Sequence, residues 1–192
     1  MLEIHPNDIG LIEVIRMRLF LNLGGIEFIF QIERYRQSSR ERWDVEWCQV
    51  ELSLQAGNWL NFQLGPTEAM LCTEVEELRD RIDDLLKSKL MEPMSIEFIE
   101  PDFEIHLYPE TDCRTNPNVL YVRPGLELID VNMDWVVQFW DDTGALTANR
   151  LLLSFDRKDL ETLLCYLCFV TGVIDRDDAL VQKLIAEDCL RY

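Results

Sequence analysis

The fold turns on residues 45–64, VEWCQVELSLQAGNWLNFQL, and on what flanks them. Cys48, Val50, Leu52 and Leu54 alternate with Gln49, Glu51 and Ser53, the period of a strand with one buried face. Gly57-Asn58 turns the chain, and Leu60, Phe62 and Leu64 resume the alternation over Trp59–Leu64. Upstream, Ile26, Phe28, Phe30 and Ile32 share one face, with Glu27, Gln31 and Glu33 on the other. Tyr35–Trp43 is polar and carries Ser38-Ser39, so it reads as a loop. Downstream, Thr73 and Glu76 form a capping box, and Glu74, Glu76 and Glu77 sit where a helix dipole favours acids. Val75, Leu78, Ile82, Leu85 and Leu86 then fall on one helical face, with Lys87 and Lys89 near its end.

The second half repeats the order. Ile96 and Phe98 begin a strand, Glu100-Pro101-Asp102 interrupts it, and Phe103, Ile105 and Leu107 form the next alternation. Residues 109–125 hold Pro109, Pro117, Pro124 and Gly125 and read as a long loop with a short strand at Val119–Val122. Trp135–Trp140 is a strand, 141–144 a turn, and Arg150–Phe155 the return. Asp156 caps a second helix through about Thr171, and Asp175–Asp178 opens a third that carries Leu180, Val181, Leu184 and Ile185. Strands followed by helices give an α+β fold: antiparallel sheets with helices packed on one face, in two similar strand-then-helix halves. The chain reads as one domain over 1–192, with a core at 26–170 and appended segments at 1–24 and 175–192. Ile9–Leu23 fits either a strand pair or a helix, and Gly24-Gly25 ends it.

Composition narrows the function. The 192 residues carry 18 Lys+Arg against 36 Asp+Glu, a net charge of −18. Phosphate backbones and anionic membranes repel such a chain, because binding them needs a basic patch. The longest basic cluster, Arg34, Arg36, Arg40 and Arg42, is diluted by Glu33 and Glu41. Nucleic acid and membranes are therefore not expected partners, whereas a basic protein is steered toward this one. Met1-Leu2-Glu3-Ile4-His5-Pro6 lacks the basic start and apolar core of a signal peptide. Leu163–Val170, the longest apolar run, is too short to span a bilayer. The irregular spacing of Cys48, Cys72, Cys113, Cys165, Cys168 and Cys189 among apolar neighbours fits buried free thiols, hence a cytoplasmic protein.

Catalytic signatures are missing. His5 and His106 are the only histidines, and neither HExxH nor paired CxxC motifs occur. Cys165-x-x-Cys168 lies inside LLCYLCFV, an apolar setting that suits core packing rather than redox or zinc chemistry. No GxSxG, GxGxxG, P-loop or calcium-loop pattern is present. No cofactor, metal or enzymatic activity is expected. The feature left is a cluster of carboxylates, Glu97, Glu100, Asp102 and Glu104, around one strand break. Glu97 and Glu104 oppose apolar neighbours and should point outward, where they can receive Lys or Arg from a partner. Trp43 and Trp47 are candidate interface anchors, or core-edge residues.

Three stretches, WDVEWCQVEL (43–52), MLCTEVEELRDRIDDLL (70–86) and IEFIEPDFEI (96–105), resemble the WapI-like immunity proteins. These are small acidic bacterial cytosolic proteins that neutralise the C-terminal toxin domain of a large wall-associated or contact-dependent toxin. Asp44 and Trp47 match the family's D-x-N-W strand, with Glu46 where Asn is usual. Leu71 and Thr73 match its Leu-Thr entry to an acidic helix, with Cys72 between them. Phe98, Glu100 and Pro101 match its F-x-E-P strand ending directly. The resemblance covers roughly residues 26–170 and implies a non-enzymatic immunity protein whose partner is a toxin domain. Without a toxin partner, the same features describe a general interaction module or a self-associating one.

Overall fold

The computed structural model describes residues 17–37, 46–114 and 121–192. The first half is an antiparallel meander: β1 (Arg18–Leu23), β2 (Ile26–Glu33), β3 (Trp47–Ala56) and β4 (Leu60–Leu71), leading into α1 (Cys72–Leu86). The second half repeats this with β5 (Met94–Glu97), β6 (Phe103–Tyr108), a short arm of β7 (Thr111–Asp112) and β8 (Leu128–Ile129), then β9 (Asn132–Trp140) and β10 (Leu146–Phe155). α2 (Arg157–Val170), α3 (Ala179–Ala186) and β11 (Leu190–Arg191) follow. The strands form a five-stranded sheet, β11-β1-β2-β3-β4, and a four-stranded sheet, β10-β9-β6-β5. The α+β fold is as the hydrophobic periodicity predicts.

Alternation explains how the two sheets meet. Leu19, Leu21, Phe28, Phe30, Val50, Leu52 and Leu54 line the inward face of one sheet. Ile96, Phe103, Ile105, Leu107, Met133, Trp135, Leu153 and Phe155 line that of the other. At the centre the Trp135 ring meets Phe28 at 5.5 Å, Phe30 at 5.1 Å and Phe103 at 5.4 Å edge-on, and stacks on Phe155 at 5.9 Å. The pairs with Phe28 and Phe30 cross from sheet to sheet, and all four add to simple burial. Val75, Leu78, Ile82 and Leu85 of α1 and Leu160, Leu163 and Leu167 of α2 join the same core. Tyr166 joins them, and the expected Leu164 packs partly buried against the same core. The Tyr166 hydroxyl accepts the Ile32 N–H at 2.8 Å and donates to the Met17 carbonyl at 3.4 Å, so a buried helix residue satisfies two strand groups.

Four elements differ from the sequence reading. β4 runs to Leu71 rather than stopping at Leu64, because Gly65 lets an edge strand bulge around Pro66. Gly65 has φ of 92°, and a Cβ there would overlap the Val50 carbonyl oxygen. α1 starts at Cys72, with Leu71 as its N-cap, so the Thr73–Glu76 box does not form. The buried Glu74 carboxylate instead takes the Leu71 N–H and the Ile99 N–H, each at 2.7 Å. Residues set apart from the core also join it. β1 is hydrogen-bonded to β2, and β11 pairs back onto β1 while Val181, Leu184 and Leu190 are buried. Tyr121 and Val122 are irregular, while 119 and 120 lie outside the described residues.

The Asp156 cap forms as expected. Its carboxylate accepts the Asp159 N–H at 3.0 Å, and Asp159 returns an acceptor to the Asp156 N–H at 3.2 Å. No helix among the described residues is long and apolar enough to cross a membrane.

Candidate functional site

The outward face of the four-stranded sheet is built by register. β5, β6, β9 and β10 are aligned so that Glu97, Glu104, Val136 and Leu152 form one row across the sheet. Ser95, His106, Asp134 and Ser154 form the next. On the other side, the Gln138 N–H reaches the Asp102 carbonyl at 2.9 Å, and Gln138 pairs with Arg150. The face therefore has an apolar centre, Val136 and Leu152, with carboxylates on both sides. Leu152 is 52% exposed, while Val136 is covered.

Its electrostatics are one-sided. Glu97 and Glu104 stand directly opposite each other, an arrangement in which like charges destabilise a strand pair. His106 sits beside Glu104, with Nε2 3.2 Å from Oε1, and its Nδ1 lies 2.8 Å from the Ser95 hydroxyl. The His106 ring thus bridges the Glu104 carboxylate and the Ser95 hydroxyl. The Ser154 hydroxyl donates to Asp134 at 2.6 Å. Burial, then the negative charge of Asp134, pushes the Tyr108 phenol upward. Arg150 is the cation of these rows and makes no ion pair among the described residues.

The structure places the sequence-selected residues in different ways. Glu97 and Glu104 face outward on adjacent strands, as the alternation predicts. Glu100 lies in the turn between them and is partly exposed. Asp102 begins the return and is engaged: its carboxylate accepts the Trp140 indole N–H at 2.7 Å. Trp43 lies outside the described residues, and Trp47 is half-buried on β3.

Trp140 is the residue that sequence reasoning missed. It appeared only as a strand end, yet it is 42% exposed and pinned by Asp102 from 38 residues away. A rigidly held, half-exposed tryptophan is a common interface anchor. Asp134 and Leu152 were missed too, since their place beside Glu104 depends on pairing across non-adjacent strands. The only signal available was the even spacing of Asp134, Val136, Gln138 and Trp140.

The remaining surface offers less. A depression of about 370 Å³ on the outward face of the five-stranded sheet is lined by Arg18, Gln31 and Glu51, which bond to one another. No group of three or more potential metal ligands occurs among the described residues. Cys165 is buried and its thiol is pushed up to about 11 by that burial, in line with core packing.

Fold and surface together define a class: an α+β protein of two antiparallel meanders with an acidic, apolar-centred outer face. The chain itself belongs to the WapI-like immunity protein family, whose model matches residues 18–167. No curated protein and no solved structure shows a significant match to it.

Proposed function

We propose that this protein is a cytoplasmic immunity protein that neutralises a basic toxin domain by binding, not by catalysis. In this reading the outward face of the four-stranded sheet covers the toxin's cationic active groove. Glu97, Glu104 and Asp134 supply the charge, Glu100 and Asp102 the rim, and Trp140 and Leu152 the apolar contact. The observation that carries the reading is the opposed Glu97–Glu104 pair, which meets no neutralising lysine or arginine among the described residues. A cation from the partner relieves that repulsion on binding. Grooves that hold phosphates are themselves cationic, so a carboxylate face is their chemical complement. Membership of an immunity family supports the toxin as the partner.

The test uses the cognate toxin domain, sought first in the neighbouring reading frame. The two proteins are titrated together at rising salt while toxin activity is followed. The reading expects one-to-one inhibition that weakens steadily as salt screens the surface charges. Inhibition unchanged by salt would contradict the charge-based mechanism, and failure to bind would favour a general or self-associating module.

A further inference from the structure

The thiols of Cys48 and Cys72 take no part in the acidic face. Their side chains are buried, and their sulfurs lie 3.3 Å apart, 24 residues apart in sequence. Cys48 comes from β3, and Cys72 is the first residue of α1, at the positive end of the helix dipole. The two thiols share a hydrogen bond, and the Arg36 N–H donates to the Cys72 sulfur at 3.5 Å. These bonds hold the Cys72 thiol below its usual value, and the shared one pushes Cys48 up. Burial raises Cys165, Cys168 and Cys189 instead.

Residues 34–37 lie against Cys72, where the Arg36 N–H meets its sulfur. This segment is held by the Tyr35 hydroxyl on Glu76 at 2.6 Å and by an Arg36–Glu46 ion pair at 3.7 Å whose arginine is 77% exposed. None of residues 34–37 belongs to a strand of either sheet, so the segment can move without breaking a ladder bond.

We propose that Cys48 and Cys72 form a reversible disulfide when a hydroperoxide reaches Cys72. The Cys72 thiolate attacks the terminal peroxide oxygen. An S–O bond forms, the O–O bond breaks, and the other fragment leaves as an alcohol, or as water when the oxidant is hydrogen peroxide. Cys72 is then a sulfenic acid. The Cys48 sulfur attacks it, and the hydroxyl departs as water with the Cys48 proton. Two thiols are oxidised and one peroxide is reduced. The bond ties β3 to the start of α1, two residues before Glu74 anchors the acidic hairpin at Ile99. Closing a loop of this length raises Tm by about 5–10 °C.

The experiment treats the reduced full-length chain with a small excess of hydrogen peroxide and maps all six cysteines by mass spectrometry under non-reducing conditions. The expected result is a Cys48–Cys72 linked peptide, a higher Tm, and return of both properties with dithiothreitol. In Cys48→Ala, dimedone should label Cys72 and the Tm gain should vanish. Folded Cys48→Ala without label at Cys72 contradicts the order of attack. Recovery of Cys48 and Cys72 as thiols while Cys113 or Cys189 is oxidised overturns the proposal, as does a Cys165–Cys168 link alone. The wild-type map decides even if the variant folds poorly.

Discussion

The two sheets hide similar inner faces behind opposite outer ones. On the five-stranded sheet, the Arg18 guanidinium donates to Gln31 at 2.7 Å and to Glu51 at 3.2 Å, and Gln31 donates to Glu33 at 2.8 Å. Acids and donors there satisfy one another within the chain. On the four-stranded sheet, Glu104 is met by the His106 imidazole and Asp134 by the Ser154 hydroxyl, while Arg150 makes no ion pair among the described residues. A self-neutralised surface supports the fold. A surface left unbalanced costs the free protein a little stability and gains it back when a cation arrives. On the proposed reading, the difference in bonding, more than the total charge, separates a structural face from a binding one.

The largest expected effect comes from reversing charge on one face at a time. Glu97→Lys with Glu104→Lys should weaken toxin binding by roughly 100-fold or more, measured by calorimetry. Reversing Glu51 and Glu27 on the other sheet should change affinity by less than about threefold, as expected for charges outside the contact. Next is the anchor. Trp140→Ala should cost about 2 kcal/mol of binding, whereas Trp59→Ala, on the β3–β4 turn and 69% exposed, should cost almost none. The third effect falls on folding. Arg18→Ala removes the bonds to Gln31 and Glu51 and should lower stability by about 1 kcal/mol, a Tm loss of roughly 2–4 °C, with affinity unchanged.

Glu97→Gln sharpens the contrast further, because it should move the two properties in opposite directions. Removing one of two opposed carboxylates should stabilise the free protein by a few tenths of a kcal/mol, while binding weakens about threefold. Smallest of all is an acid effect confined to the β7–β8 arm. The Arg114 guanidinium holds the Asp112 carboxyl down to about 2. A depressed carboxyl supports the folded arm above its ordinary pKa of 3.8 and loses that support as pH falls through about 2. Solvent screens this exposed pair, so the effect on global stability should be small and is read from the NMR signals of the arm.

Much of this was legible in the sequence. Strict alternation at Cys48–Leu54 and Phe103–Leu107 set both inner faces, and Asp156 marked the start of α2. Local signals misled where a long-range partner decided the outcome. Thr73–Glu76 has a capping-box spacing, yet Glu74 was drawn into the core by the Ile99 N–H and moved the helix start to Cys72. Glu97 and Glu104 were readable as outward residues because parity is local. Their company of Asp134, Trp140 and Leu152 was not, because it depends on β9 pairing with both β6 and β10. The buried Tyr166 was hidden for a similar reason: its hydroxyl is placed by Ile32, 134 residues away.

The most direct measurement is hydrogen exchange on the protein with and without its toxin domain. Slowed exchange over 95–104, 134–140 and 150–154, with Arg18–Glu33 and Trp47–Ala56 unchanged, is the predicted result. Protection centred on the outward face of the five-stranded sheet, with the Glu97–Glu104 hairpin exchanging as in the free protein, would contradict it.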